Sequence, residues 1–350
     1  MTRTAVSEGG SPRCLAMPIT ALRTVISESC NADTDMKLTL NWAMPLGAYR
    51  ELLADVRHPN LLQDPVYGRA HAWFYGMTAR YGLIRIDDRT AGIFQWFEKR
   101  ALGGLIHAVI LDRGPLWLPE YGQQAHQEVF FRHFNKQYPR RLGRRRRVIP
   151  EVFLDQHVDL ASCGLQPTSQ TGYATYWVDL DATPNQLRAR LSGKWRSALH
   201  KAEQLLDHGE LRTDWTGTPE RIRELLRWHQ QDQLDKDYHG AHPVLMKKLL
   251  TDYAKVQGLL LGVAYHKEAP CSAVAVLCHS SGATYQLAWN SKAARQTGTN
   301  NLLLWQVMLA LQQRGIACFD LGGFNDEAPG LQRFKAGLGG QEVRLAGMFV

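Results

Sequence analysis

Gly258-Leu-Leu-Leu-Gly-Val-Ala264, Ser272-Ala-Val-Ala-Val-Leu277 and Thr284-Tyr-Gln-Leu-Ala-Trp289 are three apolar runs rich in β-branched and aromatic residues. Between them stand His266-Lys-Glu-Ala-Pro270 and His279-Ser-Ser-Gly-Ala283. Short runs of this composition bounded by Gly, Pro and Ser are strand signals, so 258–289 reads as a three-stranded meander. An apolar helix over 300–314 and another strand over 316–320 follow it.

The same plan occurs once earlier. Gly82-Leu-Ile-Arg-Ile86, Ile93-Phe-Gln-Trp-Phe97 and Leu105-Ile-His-Ala-Val-Ile-Leu111 are separated by Asp87-Asp-Arg-Thr90 and by Gly103-Gly104. A helix over 121–137 and a strand over 147–154 come next. What repeats is the order of elements, not the residues. Two copies of meander, helix and strand imply a mixed α/β chain of two similar domains, each a mostly antiparallel mixed sheet flanked by helices. The turn-rich stretch Ala161-Ser-Cys-Gly-Leu-Gln-Pro-Thr-Ser-Gln-Thr-Gly172 sets the division at 36–165 and 166–350. Residues 1–35 carry Ser, Thr and Ala without a period and read as a disordered tail, with Met36 as a candidate true start.

Helices precede each meander, at 46–57 and 64–77 in the first half. In the second, Thr183-Pro184-Asn-Gln186 has capping-box spacing with Pro at the first helical position. Gly193 divides that helix, and Lys194–Leu206 is its second piece. Thr218-Pro219 opens a helix to about Leu234, and Pro243 opens another to about Val256.

The formal net charge of +8 favours anionic partners without choosing among them. Six cysteines include no Cys-x-x-Cys pair, and thirteen histidines include no His-Glu-x-x-His motif, so neither a metal site nor a redox site is expected. No run reaches the roughly 20 apolar residues of a transmembrane helix, and the N-terminal segment is too broken by Pro18 and Arg23 for a signal peptide. A cytoplasmic protein is expected. Nucleophile-elbow, Walker and complete dinucleotide motifs are lacking. The dense run Arg140-Arg-Leu-Gly-Arg-Arg-Arg-Arg147 reads as a basic loop leading into an edge strand, where charge blocks aggregation. Contact with tRNA or anionic lipid is its other reading; no DNA partner is expected.

Three segments carry chemistry. Arg295-Gln-Thr-Gly298-Thr-Asn300 lies between a strand and an apolar helix, where unpaired amides and the positive dipole end can cradle an anion. An ordinary helix start capped by Thr299 or Asn300 is the plain alternative. Cys318-Phe319-Asp320-Leu321-Gly322-Gly323-Phe324 ends a strand where α/β sheets bind ligands. Asp320 there either orients an amine or caps the glycine turn. Gly330-Leu331-Gln-Arg-Phe334-Lys335-Ala-Gly337-Leu-Gly-Gly340 follows, with Lys335 as a cation for a developing oxyanion or as a solvated surface residue.

These segments resemble two nested families. Arg295 and Gly298 resemble the Arg/Gln-x-x-Gly-x-Gly/Ala loop of GNAT acetyltransferases, with Asn300 where Gly or Ala is usual. The Phe-Asp-x-Gly-Gly strand end and the Phe-Lys-x-Gly segment resemble the signature of Fem-type acyl and aminoacyl transferases, with Leu338 for the common Phe. Asn60-Leu-Leu-Gln63, Asp112-Arg113-Gly114-Pro115 and Lys194-Trp-Arg196-Ser-Ala-Leu-His-Lys201 extend the resemblance over 38–350. It implies two tandem GNAT-like domains and acyl transfer from acyl-CoA or aminoacyl-tRNA to an amine, such as a cell-envelope or polysaccharide precursor. It implies Lys335 and Asp320 as catalytic residues, Arg295, Gly298, Thr299 and Asn300 at the donor, and Lys194, Arg196, Gln63 and Arg113 at the acceptor. No bound cofactor is expected, and contact with the membrane would be peripheral. The span 172–257 leaves no room for the long helical hairpin of many tRNA-dependent members. The rival readings are a plain CoA-dependent N-acetyltransferase of a small molecule and a non-catalytic binding protein of an envelope-polymer pathway.

Overall fold

The computed structural model describes residues 36–236, 240–324 and 328–350. The expected tail over 1–35 lies outside the described residues.

The first half opens with strand β1 (Leu38–Asn41) and helices α1 (Leu46–Ala54) and α2 (Pro65–Tyr75). Its meander is β2 (Thr78–Ile86), β3 (Arg89–Ala101) and β4 (Ile106–Gly114), followed by the two-residue β5 (Leu116–Trp117). Helix α3 (Gln124–Gln137) then crosses to β6 (Arg144–Pro150). The sheet order is β1-β2-β3-β4-β6, with β5 on β3. All its pairs are antiparallel except β4 with β6. β6 is therefore an edge strand, but it starts at Arg144, not at 147. Arg144–Arg147 lie inside the strand because their guanidiniums find partners there. Arg147 holds both oxygens of Asp112, and buried Arg146 meets Asn135 and the carbonyls of Tyr138 and Gly164.

The second half runs β7 (Ala174–Asp179), α4 (Pro184–Arg190), α5 (Gly193–Asp207), β8 (Leu211–Trp215), α6 (Pro219–Lys236) and α7 (Pro243–Lys255). The meander β9 (Leu259–His266), β10 (Ala269–His279) and β11 (Gly282–Asn290) comes next. Helices α8 (Lys292–Thr297) and α9 (Thr299–Gln313) then lead to β12 (Cys318–Asp320), α10 (Pro329–Ala336) and β13 (Gln341–Arg344). The order is β13-β7-β12-β11-β10-β9-β8, and β12 runs parallel to β11. Each half thus pairs its meander in parallel with a strand delivered by a helix, as the internal repeat predicts.

Sequence reasoning missed β7, β8, β13, α8 and α10, which are short and take their periodicity from neighbours rather than from themselves. The Thr183 capping box is present, with Thr183 Oγ accepting from Gln186 N at 3.3 Å. The end of the chain returns to the first half, where Phe349 bridges Val148 and Leu345 bridges Phe153.

The halves share apolar core. Leu61, Val66 and Ala70 pack with Leu249, Leu250 and Leu277, all buried. Polar links reinforce the seam: Tyr253 donates to the α2 cap Asp64 at 2.6 Å, and Ser280 Oγ to the Leu53 carbonyl at 3.0 Å.

Candidate active site

The parallel pair at the centre of the second sheet does not stay closed. β11 and β12 pair only through Gly282–Cys318, Ala283–Phe319 and Thr284–Asp320. Beyond Thr284, β11 continues to Asn290 with no partner on β12. In the first half the equivalent strands pair from His107–Arg144 through to Gly114–Pro150. Only the second half has an open wedge at the carboxyl ends of its parallel strands, the place where α/β sheets bind ligands. A shift in register between Ala275 and Val276 also leaves Gln286 as an extra residue on β11, opposite the wedge. Bulges of this kind re-aim side chains and free backbone groups beside active sites.

A cavity of about 230 Å³ fills the wedge. The first half supplies Leu61, Leu62, Tyr67 and Arg113 to its wall; the second supplies Thr284, Tyr285, Gln286, Asp320 and the Gly322-Gly323 turn. The site therefore lies on the seam.

Its charged framework is buried. Arg113, at the end of β4 with a positive φ of 53°, is 3% exposed. Its Nε and Nη2 donate to the two oxygens of Glu151 at 2.8 and 2.7 Å, and its Nη1 donates to Asp320 Oδ2 at 3.3 Å. Its guanidinium also lies 4.6 Å from the centre of the Tyr173 ring. Burial acts to lower the Arg113 pKa, but Glu151 and then Asp320 overcome it and hold the group above its usual range. Burial raises the Glu151 carboxyl, with Arg113 opposing. Asp320 Oδ1 accepts from Thr175 Oγ at 2.6 Å and from Gly322 N at 2.8 Å. Of the two readings of Asp320, the geometry realises the turn cap, with Arg113 as an additional partner.

Of the two readings of Lys335, the solvated surface residue is excluded: Lys335 is 5% exposed, and its ammonium donates to the carbonyls of Gly322 and Gly323, each at 2.8 Å. Burial lowers its pKa to about 8, with Asp320 opposing. α10 presents it inward because Pro329 starts the helix in a register that lays Phe334 against Trp195 and turns Lys335 under the turn.

The other predicted residues are dispersed. Gln63 is fully buried and mends the first sheet where β3 and β4 stop pairing. It accepts from Gln95 N at 2.7 Å and donates to the carbonyls of Gln95 and Asp112 at 2.9 and 2.8 Å, which leaves no free end for an acceptor. Arg196 is exposed on α5 and caps α4 through the carbonyls of Ala189 and Leu191; Lys194 is exposed beside it, and neither lines the cavity.

The predicted anion loop is also corrected. Residues 292–297 form α8, and the Gly298 amide is spent on the Ala294 carbonyl at 3.0 Å. Gly298, with φ of 71°, serves close helix packing rather than ligand approach. A Cβ there would collide with the Ala198 carbonyl of α5. Thr299 is buried against Cys271, and Arg295 is exposed. Asn300 does not line the cavity; its side chain meets the hydroxyl of Tyr285, which does, and its Oδ1 is buried without a partner.

Sequence reasoning passed over His279. Its Nε2 lies 2.8 Å from Thr284 Oγ, its Nδ1 is buried without a partner, and burial lowers its pKa to about 4. No motif marks this pair; a His ending one strand and a Thr opening the next is ordinary hairpin sequence. Glu151 lies within the strand read over 147–154 and Tyr173 just past the turn-rich stretch 161–172, and no motif marks either.

Residues 192–336 match the family model of the acetyltransferase (GNAT) domain. Among solved structures, FemX superposes with a TM-score of 0.72 at 13% identity, covering 90% of this chain and 96% of that one. A conserved protein of unknown function from Bacteroides thetaiotaomicron superposes with a TM-score of 0.54 at 13% identity, covering 89% and 98%. At such identity the likeness is one of fold. No curated protein matches the chain.

Proposed function

We propose that this chain, whose residues 192–336 match the GNAT acetyltransferase domain, is an acyltransferase that moves an acyl or aminoacyl group from acyl-CoA or aminoacyl-tRNA onto an amine in the wedge between β11 and β12. The wedge carries this reading: unpaired β11 backbone at a bulge, facing a cavity with buried polar walls. At about 230 Å³ it is smaller than the roughly 300–1,000 Å³ of pockets that enclose a whole ligand. It suits the reacting carbonyl and amine, with the rest of each substrate outside.

The amine nitrogen attacks the donor carbonyl carbon, the C–N bond forms, and the oxygen takes up negative charge. Backbone amides of β11 beyond Thr284 are the donors for that oxyanion. The C–S or C–O bond to the carrier then breaks. The proton lost by the amine passes through Thr284 Oγ and His279 Nε2 and on to the departing thiolate or alkoxide of the carrier, because burial disfavours a lasting imidazolium. Lys335 and Asp320 act by fixing the Gly322-Gly323 turn that walls the cavity. The domain division at 165/166, a cytoplasmic location and an envelope or polysaccharide precursor as acceptor belong to the same proposal.

The test is native mass spectrometry of the purified chain against CoA thioesters and aminoacyl-tRNAs, followed by single-turnover transfer to a panel of amines. One donor class should bind, and its acyl group should appear on an amine. Thr284→Val should lower kcat with KM unchanged, and Thr284→Ser should restore it. Binding of a donor without transfer to any amine would favour the binding-protein reading; binding of neither class would sink the proposal.

A further inference from the structure

The cations of this chain are concentrated at one end of the first sheet. The stretches 99–107 and 139–147 contain Lys99, Arg100, Arg140, Arg141, Arg144, Arg145, Arg146 and Arg147 and no Asp or Glu. These eight charges equal the formal net charge of the whole chain, +8, so the remainder balances to zero. Arg146 and Arg147 are spent internally. Lys99, Arg140, Arg141 and Arg145 are exposed, and none meets a carboxylate among the described residues.

Four large aliphatic side chains stand out among these cations: Leu142 is 100% exposed, Leu105 72%, Leu102 70% and Ile106 49%. The β3–β4 hairpin and the loop before β6 are held together at this end. His107 N donates to the Gly143 carbonyl at 2.9 Å, Arg141 Nη2 reaches the Gly104 carbonyl at 3.4 Å, and Gly143 packs against the Leu105 carbonyl. The leucines therefore sit on one shared tip. Exposed aliphatic surface of this kind marks an interaction site.

We propose that this tip docks the protein on an anionic lipid bilayer, the aliphatic side chains entering the headgroup–acyl boundary while the cations meet lipid phosphates. Cations around apolar residues are the pattern of peripheral attachment to anionic membranes. A nucleic acid would use the same cations but gains nothing from four exposed aliphatics, and single strands call for aromatic platforms, while 99–107 and 139–147 contain no Phe, Tyr or Trp. The tip is separate from the cavity. Ile106 and Arg113 are seven residues apart on β4, or about 24 Å at ~3.4 Å per residue. The proposal does not depend on what the cavity does.

The experiment is co-sedimentation of the full chain with phosphatidylcholine vesicles, with and without phosphatidylglycerol. Binding should need the anionic lipid and weaken steeply with salt. Leu105→Asp with Leu142→Asp should weaken it by about tenfold or more while the melting temperature stays unchanged. Arg140→Ala with Arg141→Ala should weaken binding and flatten its salt dependence. Failure to pellet with anionic vesicles overturns the proposal, as does unchanged binding by the Asp variant. Bulk tRNA binding that the Asp variant retains while vesicle binding is absent assigns the cations to nucleic acid. A wild-type dimer that the Asp variant converts to monomer without vesicle binding makes the tip a protein interface.

Discussion

Replacing Arg113 with Met removes three charge-assisted hydrogen bonds, at 2.7, 2.8 and 3.3 Å, and strands two carboxylates that are 6% and 8% exposed. Each such bond contributes about 1.5–3 kcal/mol, and the cost of burying the guanidinium is recovered when it is gone. Breaking a buried pair by removing one partner costs about 3–5 kcal/mol. For a chain of this size that is about 6–15 °C in melting temperature, at ~2–3 °C per kcal/mol. The deficit should depend on pH. Glu151 is already raised by burial, with Arg113 holding it down, so Arg113→Met should push it up further. A carboxyl whose folded pKa exceeds its unfolded value binds more protons when folded, so its contribution to stability is full at low pH and is lost as pH rises through the folded pKa. Differential scanning fluorimetry of both proteins at pH 5 and pH 7 should therefore show the larger deficit at pH 7. Arg113→Lys should recover little, because an ammonium cannot hold both Glu151 oxygens as a planar fork does. A loss under about 2 °C at pH 7, or a larger loss at pH 5, would refute the account of Arg113 as the ion that holds the seam.

Gln63→Leu should destabilise by about 3 kcal/mol or more, because it leaves the Gln95 amide and two backbone carbonyls buried and unpaired; a variant with unchanged urea midpoint and only a raised acceptor KM would restore Gln63 as a binding residue. Gly298→Ala should cost about 2–4 kcal/mol from the left-handed φ and the contact with the Ala198 carbonyl, and wild-type stability in this variant would show that α5 has room to move. Lys335 releases its proton near 8 in the folded protein, against an ordinary value of 10.5, so the unfolded chain holds more protons between those values. Wild-type stability should therefore rise relative to Lys335→Met from pH 8 to pH 10. A gap that stays constant over that window would show an ammonium in an ordinary, solvated setting.

The repeat of meander, helix and strand was legible because strand and helix periodicities are set by neighbours within a few positions of each other. The same locality explains the helix starts at Pro184, Pro219 and Pro243, each where its Pro predicts. It also explains the misses. β7 is made into a strand by pairing with β12 on one side and β13 on the other, and β13 by pairing with β7. The segment 292–297 reads as a loop until α5 packs on it and Gly298 turns it into α9.

The candidate site was legible as motifs but not as an arrangement. Asp320, Lys335 and the glycine turn stand close in sequence, and the structure brings them together. Arg113 and Asp320 are 207 positions apart, and their contact exists only because the two halves share a core. Nor does any local pattern say that β11 and β12 part after Thr284 while β4 and β6 stay paired, since register belongs to two strands at once. Whether a cation is free or spent is decided in the same way: Arg146 and Arg147 find partners across the sheet and Arg140 and Arg141 reach no carboxylate among the described residues, although all four stand in one run. The two meanders, the longer helices around them and the duplicated order were readable from the chain alone, because those follow from short-range periodicity and turn chemistry. The tertiary structure alone decided where the wedge opens, which polar groups face it and which charges remain for a partner, because those follow from burial, and burial depends on residues far apart in the chain.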